Sequence, residues 1–298
     1  MAEAVNNVAV RLRAGGDADY ARTLTAQLAA HQLELRLDAK GLTLSDGALE
    51  LRGDFTHMLS RIRPGVVQRE LVVRAAKVKK APARRPLAVD ATAGLGEDSL
   101  LLAAAGFQVV LFEHNPVIAA LLEDALRRAA LVPELADVIA RMTLVEGDSV
   151  AALEAMAHGE KIPFDSSAPE SAKSRESAAS LPPASALTEP LAPDVVLLDP
   201  MFPERRKSAS VKKKLQLLQQ LECPCDDEST LLNAAIAAHP RKVVIKRPPK
   251  GPYLAGVKPS YSLTGKAVRY DCIALPEREV SFATRASIED AARQRQQR

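Results

Sequence analysis

The chain of 298 residues is long enough for one large or two modest domains, and its 47% hydrophobic and 26% charged residues are ordinary for a globular protein. These values exclude a disordered or fibrous chain, and a formal net charge of +3 does not by itself indicate a nucleic-acid partner. Three cysteines make no disulfide framework and no apolar run is long enough to cross a bilayer, so we expect a cytoplasmic protein without a membrane partner.

Residues 1–60 predict a small N-terminal α/β module. Residues 33–37 and 48–52 alternate apolar and polar side chains, with turn residues at Gly41 and Asp46-Gly47 between them, which is typical of a half-buried antiparallel meander. Residues 61–86 form a basic connecting segment, with a helix predicted over residues 68–77. This segment is either a solvated linker or a surface that contacts phosphates.

The next stretch has the order strand, glycine loop, helix, strand and acid. A strand over residues 87–89 ends on Asp90, a loop with Gly94 and Gly96 follows, and a second strand over residues 108–112 ends on Glu113. This half-unit binds cofactors that contain adenosine, because glycines let the backbone approach the ligand and the acid accepts ribose hydroxyls.

The loop favours S-adenosylmethionine over a nicotinamide cofactor. The third glycine of the dinucleotide fingerprint is replaced by Ser99. The carboxylate of Asp90 would repel a pyrophosphate, whereas it would attract the sulfonium and amino groups of S-adenosylmethionine. A glycine turn that only packs a helix against a sheet stays open as an alternative.

A third strand over residues 142–145 leads to Asp148 and Ser149. At the carboxyl end of a parallel strand, these side chains could bind the adenine amino group and ring nitrogens. They could equally cap the helix predicted over residues 150–157, and the two roles are compatible. Residues 163–193 are rich in Ser, Ala, Pro and Glu, which predicts a disordered insertion.

A buried strand over residues 194–198 precedes Asp199-Pro200-Met201-Phe202-Pro203. This motif suits methylation of an exocyclic amine on a base, a weak nucleophile whose lone pair is delocalised into the ring. The Asp199 carboxylate and the Pro200 carbonyl would accept its two N–H groups, and Phe202 would stack on the base. We predict these three as catalytic residues.

A basic stretch follows this motif, where an RNA backbone would have to pass. Its predicted RNA-binding residues are Arg205, Arg206, Lys207, Lys212, Lys213 and Lys214. Downstream, the pattern predicts helices over 215–221 and 230–238, a strand over 241–247, a closing antiparallel pair over 261–263 and 268–275, and a flexible tail over 289–298.

Four stretches together resemble the RsmJ family of bacterial 16S rRNA guanine-N2 methyltransferases: DATAGLGEDSLLLA, FEHNPVIAALLEDAL, LLDPMFPERRKSASVKKKLQLLQQL and VVIKRP. The resemblance covers roughly residues 87–248 apart from the insertion. It implies a class I S-adenosylmethionine-dependent domain over residues 87–288 that methylates a guanine N2, position 1516 in the activity's name, in the small ribosomal subunit. By motif, it implies cofactor contacts at Glu97, Asp98, Glu113, His114, Asp148, Ser149 and Asp199.

We therefore expect an α/β, Rossmann-like and mostly parallel sheet with S-adenosylmethionine as cofactor and 16S rRNA as partner. The open alternatives are an amino-methyltransferase acting on another rRNA or DNA base, a catalytically silent RNA-binding factor, and a nicotinamide-dependent oxidoreductase. The Asp199 motif argues against the oxidoreductase. Cys223 and Cys225 have no second Cys/His pair nearby, so we expect no metal, and nothing indicates an oligomeric partner.

Overall fold

A computed structural model of the chain describes residues 28–78, 84–160, 192–200, 217, 221 and 227–276. The predicted insertion lies outside these ranges except for residues 192 and 193, and so do the first 27 residues and the predicted tail. None of the helices in the described ranges is long and apolar enough to span a membrane.

The described strands form two sheets. The strands are β1 (Glu34–Asp38), β2 (Gly41–Ser45), β3 (Glu50–Leu51), β4 (Leu87–Asp90), β5 (Gln108–Glu113), β6 (Met142–Glu146), β7 (Val195–Leu198), β8 (Lys242–Arg247), β9 (Tyr261–Thr264) and β10 (Arg269–Ala274). The larger sheet has the order β6-β5-β4-β7-β8-β10-β9. Strands β4 to β8 are parallel, and β10 is antiparallel to both β8 and β9. The predicted parallel sheet with an antiparallel closing pair is confirmed.

Helices cover both faces of the larger sheet. They are α1 (Leu71–Ala76), α2 (Glu97–Ala104), α3 (Pro116–Ala130), α4 (Pro133–Ile139), α5 (Ser149–His158) and α6 (Glu228–Ala237). Successive side chains of β5 point to opposite faces, so Val109 packs in the core with α2 and α4 while Val110 packs in the core with α5 and α6. This is the doubly wound arrangement, which binds ligands at the carboxyl ends of its parallel strands.

The predicted N-terminal meander is confirmed as the antiparallel sheet β1-β2-β3. Its buried leucines share a hydrophobic cluster with Ile118 and Leu121 of α3. The backbone N–H of Leu42 donates to Oδ2 of Asp124 on that helix (2.9 Å), and Nε of Arg128 donates to the same oxygen (2.8 Å). The sheet is thus fixed on α3, while the predicted domain boundaries stay a prediction.

The helix predicted over residues 68–77 is confirmed only over α1, and its first part is wrong. A 3₁₀ turn over Val67–Arg69 ends at Glu70, whose extended backbone (φ −60°, ψ 137°) separates it from α1. The guanidinium of Arg61 donates to both carboxylate oxygens of Glu70 (2.9 and 2.7 Å). Arg84 is similarly paired with Asp194 (2.9 Å), so two arginines of the basic segment are bound to carboxylates within the fold.

Candidate active site

Five parallel strands end at one edge of the larger sheet, and four of the predicted site residues lie there. Asp90 ends β4, Glu113 ends β5, Asp148 follows β6, and Asp199 follows β7. Because parallel strands share one carboxyl edge, residues far apart in sequence meet at this edge. Phe202 and the predicted RNA-binding residues lie outside the described residues.

The glycine loop at this edge needs its glycines. Gly94 and Gly96 have φ angles of +53° and +74°, a region that disfavours side chains. A Cβ on Gly96 would lie 2.9 Å from Cδ1 of Leu122, whereas a Cβ on Gly94 would meet nothing within 4 Å. Gly96 therefore allows the loop to pack, and the open space beside Gly94 leaves room for a ligand against the backbone.

The carboxylate of Asp90 holds the glycine loop to helix α2. Its Oδ2 accepts from the hydroxyl of Ser99 (2.6 Å), and its Oδ1 accepts from the backbone N–H of Thr92 (3.1 Å). Burial raises the pKa of Asp90 to about 7. Ser99, which replaces the third glycine of the dinucleotide fingerprint, is thus a partner of Asp90. A direct contact between Asp90 and the cofactor stays a prediction.

Glu113 joins the loop to the second strand of the half-unit. Its Oε2 accepts from the N–H of Gly94 (2.9 Å), and its Oε1 accepts from the N–H of Asn115 (2.8 Å). Burial raises the pKa of this carboxyl group to about 7. The neighbouring His114 is exposed, with Nδ1 3.6 Å from Oε1 of Glu113. Their contacts with ribose or cofactor stay predictions.

Three other predicted positions lie at the starts of helices. Asp148 caps helix α5, because its carboxylate accepts from the N–H of Val150 (2.9 Å), and Ser149 is the first helical residue. The capping role is confirmed, and the adenine contact stays a prediction. Glu97 begins α2 and pairs with His57, whose Nε2 lies 3.3 Å from Oε1, at the exposed rim of the site.

Asp199 is held from two sides. Its backbone N–H donates to Oγ1 of Thr92 in the glycine loop (2.6 Å), and its Oδ2 lies 2.8 Å from Nζ of Lys246. Removal from water raises the pKa of Asp199, although the Lys246 ammonium opposes this shift. Pro200 is buried directly after it. The structure therefore fixes the backbone of Asp199 to the glycine loop, and the roles of Asp199 and Pro200 as N–H acceptors stay predictions.

Three side chains complete this network: Asp98, Lys246 and Tyr270. Nζ of Lys246 lies 3.0 Å from Oδ2 of Asp98, and the same oxygen accepts from the hydroxyl of Tyr270 (2.9 Å). Partial burial acts to lower the pKa of Lys246, but the carboxylates of Asp199 and Asp98 outweigh it and raise that pKa above its ordinary value. Sequence reasoning missed Lys246 and Tyr270. Lys246 could have been identified from the sequence, because a lysine near the end of a buried strand is unusual.

The chemistry of the edge fits a cationic ligand. Asp90, Asp98, Glu113, Asp148 and Asp199 bring five carboxyl groups to one loop system, and Lys246 pairs with two of them. Their surplus of negative charge suits a sulfonium and an ammonium group and disfavours a pyrophosphate. Among the described residues, no group of three or more His, Cys, Asp or Glu side chains could hold a metal ion.

Comparison with known proteins agrees with this geometry. The chain matches the family model described as "Putative SAM-dependent methyltransferase" over residues 18–180 and 174–274. The chain belongs to this methyltransferase family. S-adenosylmethionine is therefore its cofactor, and the class I fold is confirmed. This membership decides against the nicotinamide-dependent alternative.

The relatives in this family include proteins named Ribosomal RNA small subunit methyltransferase J. The one from Thioalkalivibrio sulfidiphilus (strain HL-EbGR7) is 37% identical over 252 residues, which cover 83% of this chain and 87% of the relative. The one from Pseudomonas aeruginosa (strain UCBPP-PA14) is 42% identical over 202 residues, which cover 68% of this chain and only 64% of the relative. The resemblance to the RsmJ family is confirmed.

A crystal structure shares the fold of this methyltransferase. It is that of a SAM-dependent methyltransferase from Neisseria gonorrhoeae, with a TM-score of 0.55 and 30% sequence identity. The match covers 80% of this chain and 81% of that one. The two chains thus share a fold over most of their length.

Proposed function

We propose that this methyltransferase transfers the methyl group of S-adenosylmethionine to the exocyclic N2 of a guanine in 16S rRNA of the small ribosomal subunit. Several of its relatives are named as small-subunit rRNA methyltransferases. The observation that carries the proposal is the position of Asp199, which is fixed to the glycine loop through Thr92. A substrate in the small ribosomal subunit implies that the protein acts in the cytoplasm.

Asp199 would bind the amine that receives the methyl group. Within the described residues its Oδ2 is held by Lys246, so Oδ1 is left to accept one N–H of the amine. The carbonyl oxygen of Pro200 would accept the other N–H. These two contacts favour a pyramidal nitrogen whose lone pair points away from the base plane, which restores the nucleophilicity that conjugation removes.

The cofactor, when bound, supplies an activated methyl group on a positively charged sulfur. The protein therefore needs to align the amine and stabilise the positive charge that develops on nitrogen, and a strong base is not required. In this proposal the carboxylate of Asp199 stabilises that charge. Its raised pKa also makes it a better acceptor for the proton that the methylated amine loses.

The proposal is tested by single-turnover methylation of undermethylated 30S subunits with labelled cofactor. We expect the label at one guanine N2. Asp199→Ala should lower the transfer rate by roughly 10²- to 10³-fold, the scale of losing one preorganised transition-state hydrogen bond, and Asp199→Asn should retain part of the rate. Asp227→Ala, which removes an exposed helix cap, is the control. Label on another base, or near-normal transfer by Asp199→Ala, would contradict the proposal.

A further inference from the structure

The loop that follows β8, residues 248–260, leaves the sheet at the edge that carries the candidate active site. It begins two positions after Lys246, whose ammonium pairs with Asp199. The backbone N–H of Ala255 in this loop donates to Oε2 of Glu228, the first residue of α6 (2.9 Å). The loop therefore begins beside Asp199, the proposed acceptor of the target amine.

Buried arginines fix the backbone of this loop. Nε of Arg247, which is 1% exposed, donates to the carbonyl of Pro252 (2.8 Å). The guanidinium of Arg269 donates to the carbonyls of Pro249 (3.0 Å) and Gly251 (3.1 Å). These contacts hold the loop in place from within the protein, so a partner that binds its outer surface would lose little affinity to ordering of the loop.

The outer surface of the loop is aromatic and basic. Tyr253 is 39% exposed, and the guanidinium carbon of Arg269 lies 5.2 Å from the centroid of its ring, which fixes the ring. Lys250 and Lys258 are exposed, and neither forms an ion pair with any residue that the structure describes. Residues 248–260 contain no acidic side chain, so the charge of this surface is positive.

We propose that Tyr253, Lys250 and Lys258 form a binding surface for single-stranded RNA. The ring of Tyr253 stacks on an unpaired base beside the target nucleotide, and the two ammonium groups contact the adjoining phosphates. An exposed ring between basic side chains is how proteins hold unpaired nucleotides. The inference deepens the proposed function and rests on it for the identity of the RNA.

Anisotropy of a labelled, unstructured RNA oligonucleotide tests this surface directly. Tyr253→Ala should weaken binding roughly 5- to 150-fold, the range for losing one stacked base, and Tyr253→Phe should stay within about twofold of the wild type. Replacing Lys250 and Lys258 with Ala should lower the slope of log K against log salt by about 1 for each lost phosphate contact. Affinity for S-adenosylhomocysteine should not change.

Tyr261→Ala is a matched control. Tyr261 is 40% exposed and also lies beside a cation, with Nζ of Lys242 5.5 Å from its ring, but at the opposite end of the sheet. It should leave RNA affinity unchanged. Equal RNA affinity of Tyr253→Ala and wild type would overturn the inference. A loss of affinity for 30S subunits without a loss for the RNA oligonucleotide would also overturn it, because it would indicate a contact with a ribosomal protein. A wild type that binds RNA through Tyr253 but methylates no 30S subunits would contradict the proposed function alone.

Discussion

Lys246 and Asp199 form an ion pair in which Nζ lies 2.8 Å from Oδ2. The two residues belong to the neighbouring parallel strands β7 and β8, where Leu198 is in register with Ile245. The same ammonium reaches Asp98 at the start of α2 (3.0 Å). The orientation of the proposed amine acceptor thus depends on a side chain from the next strand, and Lys246 acts as a positioning residue.

Lys246→Met should lower the rate of methyl transfer by roughly 10- to 100-fold, because it releases the Asp199 carboxylate and leaves Asp98 and Asp199 as neighbouring like charges. It also removes a charge that lowers the pKa of Asp199. The acidic limb of the pH–rate profile should therefore move to higher pH. Single-turnover rates measured across a pH series check both effects.

Lys246→Arg, which keeps the charge, should recover part of the rate. Lys242→Met is the matched control at the other end of β8, where Nζ donates to the carbonyls of Ala75 (2.7 Å) and Lys77 (2.9 Å). This control should cost stability without moving the pH profile. An unchanged profile in Lys246→Met would show that the ion pair does not set the charge state of Asp199.

Thr92→Val should loosen Asp199 from the glycine loop, because it removes the hydroxyl that accepts from the Asp199 backbone N–H. An amide left without its acceptor costs about 1–3 kcal/mol. We expect a lower melting temperature and slower methyl transfer, measured by calorimetry and by single-turnover assays. Thr92→Ser keeps the hydroxyl and should behave like the wild type. Wild-type stability and rate in Thr92→Val would show that this hydrogen bond does not hold Asp199 in place.

Affinity for S-adenosylmethionine should rise as the pH passes through about 7. Burial raises the pKa values of Asp90 and Glu113 to about 7, so both carboxyl groups are largely protonated at pH 6 and ionised at pH 8. A cation and ribose hydroxyls both favour the ionised forms, so binding should release protons. Calorimetry in buffers of different ionisation enthalpy measures this release. Glu113→Gln should bind S-adenosylmethionine more weakly and flatten the pH dependence of this affinity. An unaltered pH dependence in this variant would show that Glu113 does not contribute to it.

Alanine replacement of the six basic residues between positions 205 and 214 should weaken RNA binding for all sequences alike. Counterion release predicts that each lost phosphate contact lowers the salt slope by about 1. Cofactor affinity, measured in parallel, should stay unchanged because the cofactor residues are elsewhere. If RNA affinity and its salt dependence are both unaffected, this stretch is only a solvated surface.

Local patterns were enough to predict most of the sheet and the acids at its edge. Glu113 ends an apolar strand and Asp148 lies two positions after another, so their positions could be read from neighbouring residues. The network of Asp98, Lys246 and Tyr270 could not be predicted from local patterns. It depends on the antiparallel register that places Tyr270 opposite Lys246. The break at Glu70 was missed for a similar reason, since its partner Arg61 lies outside the helix pattern.

Strand β10 lies between β8 and β9, although it follows both of them in the chain. During synthesis on the ribosome, β9 therefore emerges before the strand that pairs with it, and Tyr270 reaches Asp98 only when β10 has been inserted. A nascent chain that ends before Ala274 holds the glycine loop and Asp199 but not the completed network. Completion of the network at the site therefore waits for β10, whatever has formed before that strand emerges.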